Sequence, residues 1–141
     1  MKYFTVYNTT TGEILRTGQV PDDMLTIQAQ TGETVVEAIA NPATEYYSAG
    51  VKTARPLLTT VATWDVTSII ANGTFKATLG ATLPNPTTVS VKPPANSGIA
   101  AIADQTVTDG TFTLATTVAG AYVVTAKAFP YQDYTVTINA T

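Results

Sequence analysis

Residues 109–134 read DGTFTLATTVAGAYVVTAKAFPYQDY, and this stretch decides the fold of the chain. It contains three apolar, β-rich runs: Asp109-Gly110 opens the first, Ala119-Gly120 opens the second, and residues 130–133 lead into the third. In each run large apolar residues alternate with Thr, Ala or Lys, which is the pattern of a strand with one buried face. The C-terminal part of the chain is therefore predicted to be a β-sheet module.

Upstream of this stretch, further strand-like segments are separated by turn signals, of which Asn72-Gly73 is the sharpest. Together with the three runs they give seven or eight short strands at the spacing of a β-sandwich. The predicted upstream segments are Leu57–Ile70 (one or two strands, including Trp64–Ile70), Thr74–Leu83, Thr87–Lys92, Ile99–Ala103 and Gln105–Thr108.

The first 55 residues are predicted to form a small antiparallel meander with little or no helix. A core of this size is marginal when it stands alone. The segment 34–40 has a composition that also suits a helix, but its β-branched residues favour a strand. The predicted strands are residues 2–7, Glu13–Val20, Leu25–Gln28, Thr34–Ala40, and a hairpin of Glu45–Ser48 with Val51–Ala54 across Ala49-Gly50.

A change in composition at Arg55-Pro56 predicts a domain boundary. Ten of the seventeen charged residues lie at or before Arg55, and seven are spread over the remaining 86 residues. We therefore divide the chain into a β-rich module of residues 1–55 and a sandwich of residues 57–141.

The composition excludes several functional classes. The chain has no Cys and no His, which removes disulfides, thiolate metal sites and the commonest general base. A net charge of −3 argues against nucleic-acid binding, which needs a basic face. No apolar run approaches the roughly 18 residues that span a bilayer, so we expect no membrane insertion. The N-terminal MKYFTVYNTT lacks a signal-peptide cleavage pattern.

The acidic residues do not form a pattern typical of a catalytic or metal site. Asp104, Asp109 and Asp133 lie at predicted strand ends, where some sandwich modules bind calcium, but Asp also commonly starts turns. The adjacent pair Asp22-Asp23 follows Pro21 and is interpreted as a solvated turn. Residues 57–141 contain four Asp and no Glu, whereas a sugar-cleaving enzyme needs two placed carboxylates. We expect no enzymatic activity, no catalytic or metal-ligating residues and no cofactor.

Six of the twelve aromatic residues cluster in or near the first half of the chain: Tyr3, Phe4, Tyr7, Tyr46, Tyr47 and Trp64. They have two interpretations: an exposed face that binds sugars or a protein partner, or the core of the small module. Tyr46 and Tyr47 are adjacent, so on a strand they point to opposite faces. The candidate partner-binding residues are Tyr3, Tyr7, Tyr46 and Tyr47.

Two segments of residues 57–141 resemble bacterial immunoglobulin-like repeats. Residues 67–82, TSIIANGTFKATLGAT, resemble their early strands, and Gly120-Ala121-Tyr122 with residues 134–138 resemble their late strands. The resemblance implies an immunoglobulin-like β-sandwich. It also implies that the hydroxyl of Tyr122 turns back onto the preceding loop and locks the corner.

The first 56 residues resemble a short N-terminal module of proteins encoded among tailed-phage structural genes. Its features here are Tyr7, residues 11–14 (TGEI), Gly32-Glu33, residues 45–47 (EYY) and Arg55-Pro56.

The two resemblances together imply a non-enzymatic structural protein of a bacteriophage virion, assembled in the host cytoplasm. A tail-associated position (fibre, tip or baseplate periphery) is favoured; the alternatives are a head-decoration protein and a tail-fibre assembly chaperone absent from the mature particle. Residues 1–55 would attach to other virion proteins, through Tyr46, Tyr47 or an exposed strand edge at Lys2–Tyr7. The sandwich, in multiple copies per virion, would face the host and its cell-surface glycans.

Overall fold

The computed structural model describes residues 1–80 and 82–141, and these form two compact units, Met1–Pro56 and Leu57–Thr141. Strands dominate both units, and the helical elements of the described residues are three short 3₁₀-helices. The predicted all-β class is therefore confirmed. No helix within these residues is long and apolar enough to cross a membrane.

Unit 1 contains a three-stranded antiparallel sheet and a separate two-stranded hairpin. The sheet has the order β2-β1-β3, and β4 pairs with β5 as the predicted hairpin across Ala49-Gly50. The strands are β1 (Lys2–Asn8), β2 (Ile14–Val20), β3 (Glu33–Val36), β4 (Glu45–Ser48) and β5 (Val51–Ala54).

β1 is the central strand of its sheet, so the expectation of an exposed edge at Lys2–Tyr7 is wrong. It pairs with β2 along one side and with β3 along the other. Its residues 4–7 are all buried, which means that both faces of the strand are covered. Four consecutive residues without an exposed position are typical of a central strand, whereas an edge strand is usually blunted by charged or polar side chains.

The predicted strand at Leu25–Gln28 is also wrong. Residues Asp22–Met24 and Thr26–Gln28 form two 3₁₀-helices, and Ile27 is 70% exposed. Pro21 and the following acids begin a turn, and the short apolar run that comes next does not face a core. The segment is held to the sheet by Arg16, whose guanidinium donates to the main-chain oxygen of Gln28. The strand predicted at 34–40 ends at Val36, where the Ala38 N–H bonds back to the Val36 carbonyl.

Unit 2 is a β-sandwich in which a five-stranded sheet of order β6-β12-β11-β8-β9 packs on the pair β10-β7. Among the described residues, the strands of this unit pair antiparallel except for β12 with β6. The strands are β6 (Ser68–Ile69), β7 (Ala77–Gly80), β8 (Thr87–Lys92), β9 (Gln105–Val107), β10 (Thr111–Leu114), β11 (Gly120–Lys127) and β12 (Tyr134–Ala140).

The sandwich core follows directly from the alternating pattern. In β8 and β11, every second residue is buried and points to the facing sheet. The core joins side chains of both sheets, among them Leu79 and Phe112 on one side and Val124 and Ile138 on the other. Burial of such side chains is worth about 1.5–3 kcal/mol each, and this supplies most of the stability of the unit.

Among the described residues of unit 2, one predicted strand is shortened and another is absent. Of Trp64–Ile70 only Ser68–Ile69 is a strand, and Trp64 makes a single bridge to Leu79. The Asp65 carboxylate accepts hydrogen bonds from the N–H groups of Val66 and Thr78. The Thr78 N–H therefore bonds to a side chain and not to the main chain of a neighbouring strand. Residues 99–103 form no strand. Ala81, within the predicted strand Thr74–Leu83, lies outside the described residues.

The predicted tyrosine corner is present. Tyr122 is 2% exposed, and its hydroxyl donates to the carbonyl of Val118 at 2.9 Å. The same hydroxyl lies 2.6 Å from the Thr116 hydroxyl. These bonds fix the loop 115–119 against the start of β11.

Candidate functional site

The four candidate tyrosines of unit 1 fall into two places. Tyr7, Tyr46 and Tyr47 line one cavity of about 420 Å³, which we call the tyrosine pocket. Tyr3 lies apart, on an exposed apolar surface with Ile39. The structure therefore brings three of the four together, from strands distant in sequence.

Tyr7 and Tyr47 form a stacked pair in the core of unit 1. Their ring centroids are 4.3 Å apart with an interplanar angle of 6°, and the residues are 7% and 6% exposed. Ile14 and Ala40 complete this core cluster. The rings of Tyr7 and Tyr47 therefore belong to the core of the small module, which is one of the two interpretations of the aromatic residues. A role of these residues in binding a partner stays a prediction.

Gly12 determines where Tyr47 sits. Its N–H bonds to the Asn8 carbonyl, and its own carbonyl accepts the Tyr47 N–H at 2.9 Å. Its φ is +80°, and a Cβ at this position would come within 1.7 Å of the Tyr47 carbonyl oxygen. Only glycine fits, because both the left-handed backbone and the close approach exclude a side chain.

Two tight turns form the walls of the tyrosine pocket. Residues 9–12 are ordered by Asn8, whose side-chain oxygen accepts the N–H groups of Thr10 and Thr11 at 2.9 and 3.0 Å. Residues 48–50 form the β4–β5 turn, in which Ala49 and Gly50 have positive φ. The lining residues are Tyr7, Thr9, Thr10, Thr11, Gly12, Tyr46, Tyr47, Ser48, Ala49 and Gly50, none of them charged.

Burial raises the pKa of the Tyr47 phenol above its ordinary value, and the neighbouring Tyr7 and Glu45 raise it further. The phenol is therefore neutral at physiological pH. It presents a hydroxyl that both donates and accepts a hydrogen bond.

The second place is the Tyr3 surface, which we define as Tyr3, Ile39, Thr17 and Gln19. Tyr3 is 51% exposed and Ile39 is 57% exposed. Two grooves of about 380 and 340 Å³ share these two residues. Lys2 and Glu37 form an ion pair of 2.7 Å at the margin of the first groove. Tyr3 and Ile39 line the second groove together, so their exposed side chains adjoin on one surface.

β2 lies beside the Tyr3 surface and is an edge strand. Within residues 1–80 and 82–141 it makes ladder pairs with β1 alone. Its residues Thr17 and Gln19 line the second groove, and Gln19 pairs with Tyr3. The unpaired side of a strand offers main-chain donors and acceptors to another chain.

The acidic residues of unit 2 are each engaged locally. Asp109 accepts the Thr111 N–H, Asp104 accepts the Ser90 hydroxyl, and Asp133 lies 3.7 Å from the Lys127 ammonium. In the part of the chain that is described, no three acidic side chains form a group that could hold a metal ion.

Three residues of the Tyr3 surface were not candidates in the sequence analysis: Thr17, Gln19 and Ile39. Ile39 was assigned to a half-buried strand, but the chain leaves the sheet at Val36 and exposes it. The turn residues of the tyrosine pocket were recognised as turns and not as its walls. The sequence contained a signal for these walls: the turn Asn8–Gly12 directly follows Tyr7, and the turn Ala49-Gly50 begins two residues after Tyr47.

No protein-family description and no curated protein matches this chain. Among solved structures, a glycosyl hydrolase family 2 member from Bacteroides cellulosilyticus is similar with a TM-score of 0.40 and 16% sequence identity. The match covers 99% of this chain and 22% of that protein. Similarity of this degree supports no statement about activity.

Proposed function

We propose that this protein is a non-enzymatic structural component of a bacteriophage virion, associated with the tail (fibre, tip or baseplate periphery). In this proposal unit 1 attaches to another virion protein, and unit 2 is displayed in multiple copies for adhesion to the host surface. The observation that carries it is the Tyr3 surface beside the unpaired side of β2.

The attachment role rests on two kinds of contact that occur side by side in unit 1. The apolar side chains of Tyr3 and Ile39 supply area that is removed from water on binding. The edge of β2 supplies main-chain hydrogen bonds to an added strand. The partner chemistry is therefore an extended segment of a neighbouring virion protein whose side chains are partly apolar.

The display role rests on the outer face of the five-stranded sheet, which is rich in hydroxyl groups. Thr125 and Thr135 are cross-strand partners on this face, and their hydroxyls lie 2.9 Å apart. Ser90 and Thr125 are partners in the next pair of strands. Hydroxyl-rich surfaces stay soluble at low charge and can form hydrogen bonds with host cell-surface glycans.

The location in the virion is tested by mass spectrometry of purified particles, followed by immunogold labelling. We expect the chain in mature particles, with label on the tail. Label on the head would make it a decoration protein. Its absence from mature particles, with presence during assembly, would make it a chaperone.

The attachment surface is tested with full-length variants added to particles that lack the protein. Tyr3→Glu places a charge on the Tyr3 surface and should abolish retention on the particle. Val51→Glu is the matched control, because Val51 is 65% exposed in the same unit but on β5. Equal retention of both variants would remove the Tyr3 surface from the attachment site.

A further inference from the structure

We infer that the tyrosine pocket of unit 1 binds a neutral saccharide, which is held by the hydroxyl groups that line the pocket. The inference concerns a site different from the Tyr3 surface. It does not depend on the virion assignment, since it follows from the geometry of unit 1 alone.

The first step is that two largely buried tyrosines present open hydroxyls to a ligand. Tyr7 and Tyr47 are more than nine-tenths buried, yet within the described residues neither hydroxyl has a hydrogen-bond partner in the protein. No fully buried side-chain oxygen or nitrogen in that part of the chain lacks a partner. Both hydroxyl oxygens must therefore be open, and both residues line the pocket. The Tyr7 hydroxyl lies near Gly50, another lining residue.

The second step concerns the remaining polar groups of the lining. The main-chain N–H groups of Thr10, Thr11 and Gly12 are occupied by Asn8, so they are not offered to a ligand. The Thr10 and Ser48 hydroxyls have no protein partner among residues 1–80 and 82–141. The pocket thus presents four available hydroxyls.

The third step is the charge of the ligand. The pocket has no charged lining residue that could neutralise an ionised group. Glu45 and Lys52 lie on the same hairpin outside the lining and are paired with each other at 3.8 Å, so neither is a free counter-ion for a ligand. Burying an ion without a partner is expensive, so a charged sugar is disfavoured.

The fourth step is the chemical class. Each hydroxyl of the pocket donates one hydrogen bond and accepts others, and a saccharide presents groups with the same dual character. A ligand that carries only acceptors or only donors would leave part of this set unpaired. The volume of about 420 Å³ lies in the range of small-molecule sites, roughly 300–1,000 Å³, and accommodates one or two sugar rings.

The test uses the full chain, labelled with ¹⁵N, and amide chemical-shift titration with neutral monosaccharides and disaccharides at millimolar concentration. Glucose, galactose, mannose and N-acetylglucosamine are the first probes, and glucuronic acid is the charged comparison. At least one neutral sugar should shift the amides of residues 9–12 and 48–50 in a saturable way. Glucuronic acid should bind about tenfold more weakly or not at all.

Three conservative variants test which hydroxyls act. Tyr7→Phe and Tyr47→Phe keep the ring stack and remove one hydroxyl each, so each should weaken binding by about threefold to tenfold. Tyr3→Phe is the matched control in the same unit, since Tyr3 does not line the pocket, and it should bind like the wild type. Unchanged spectra outside the pocket show that the variants are folded.

Any of three results overturns the inference: no saturable shift with any neutral sugar, equal binding of glucuronic acid, or shifts that persist in the Tyr7→Phe/Tyr47→Phe double variant. None of these results bears on retention of the protein by virions. The experiments can therefore contradict the sugar-binding inference without contradicting the attachment proposal, and the reverse.

Discussion

The two units of this chain reach a β-rich fold by different means. Unit 2 has a continuous core of seventeen buried residues among those described, drawn from two facing sheets and from segments outside the strands, such as those of Leu58 and Leu83. The core cluster of unit 1 comprises four residues, two of which are the stacked pair Tyr7 and Tyr47. Unit 1 also contains most of the ion pairs, including Arg16 with Glu33 and Lys2 with Glu37.

The different sizes of the two cores predict which substitutions destabilise each unit. In unit 2 stability is distributed over many apolar side chains, so one lost polar contact should cost little. In unit 1 a few positions hold the structure, above all Gly12 in its turn and Glu33 in its ion pair. We expect substitutions at these positions to affect unit 1 strongly and to leave unit 2 intact.

The largest effect is expected for Gly12→Ala. The new Cβ would meet the Tyr47 carbonyl and would also force alanine into a left-handed backbone, at a combined cost of about 3 kcal/mol or more. Amide hydrogen exchange should show loss of protection in β1, β2 and β4, while β11 and β12 stay protected.

Gly32→Ala is the control for the backbone contribution alone. Gly32 has φ +83° with no atom within 4 Å of the added Cβ, so only the left-handed cost of about 1–2 kcal/mol applies. Similar losses of protection in both variants would contradict the role given to the Gly12–Tyr47 contact.

A smaller effect is expected for Tyr122→Phe in unit 2. The change removes the hydroxyl that bonds the Val118 carbonyl and the Thr116 hydroxyl, and it should lower the free energy of unfolding by about 1–2 kcal/mol. Urea unfolding followed by the fluorescence of Trp64, the one tryptophan of the chain, reports on unit 2.

Tyr134→Phe is the matched control for the corner. Tyr134 is half-buried, and no hydrogen bond of its hydroxyl occurs among the described residues. Its urea midpoint should stay close to that of the wild type. An equal shift in the two variants would mean that the corner bonds do not stabilise the sandwich.

The smallest effect is a dependence of unit 1 on acid. The pKa of the Glu33 carboxyl is lowered from 4.5 to about 2. The main cause is the hydrogen bond from the Arg16 guanidinium, and the second is the hydrogen bond from the Gln30 N–H. The unfolded carboxyl takes up its proton first as the pH falls, so the contribution of Glu33 is complete above about pH 4.5 and is lost towards pH 2. Protection of β1 and β2 should decline over this window.

Glu33→Gln should flatten that decline, because the titrating group is gone while a hydrogen-bonding amide remains. Glu13→Gln, at an exposed position of the same unit, serves as the control and should keep the wild-type profile. A Glu33→Gln variant with an unchanged acid profile would assign the pH dependence to other groups.

Several strands that are bounded by turn residues could be predicted from the sequence alone. β8, β4 and β5 match their predicted bounds, and β11 and β12 lie in the stretch that decides the fold. The Tyr122 corner was expected from the resemblance of Gly120-Ala121-Tyr122 to the late strands of bacterial immunoglobulin-like repeats, and the structure has it. Local patterns of this kind depend on residues that are neighbours along the chain, so the sequence contains the information that forms them.

Three features depend on contacts between distant segments of the chain. They are the central position of β1, the end of the third strand at Val36, and the contact between Tyr7 and Tyr47. The place of β1 between β2 and β3 depends on the return of residues 33–36, a pairing across more than 20 residues. The exposure of Ile39 and the stacking of Tyr7 on Tyr47 follow from that pairing and from the Gly12 turn. Such contacts join distant segments through packing and main-chain hydrogen bonds, and no local periodicity encodes them.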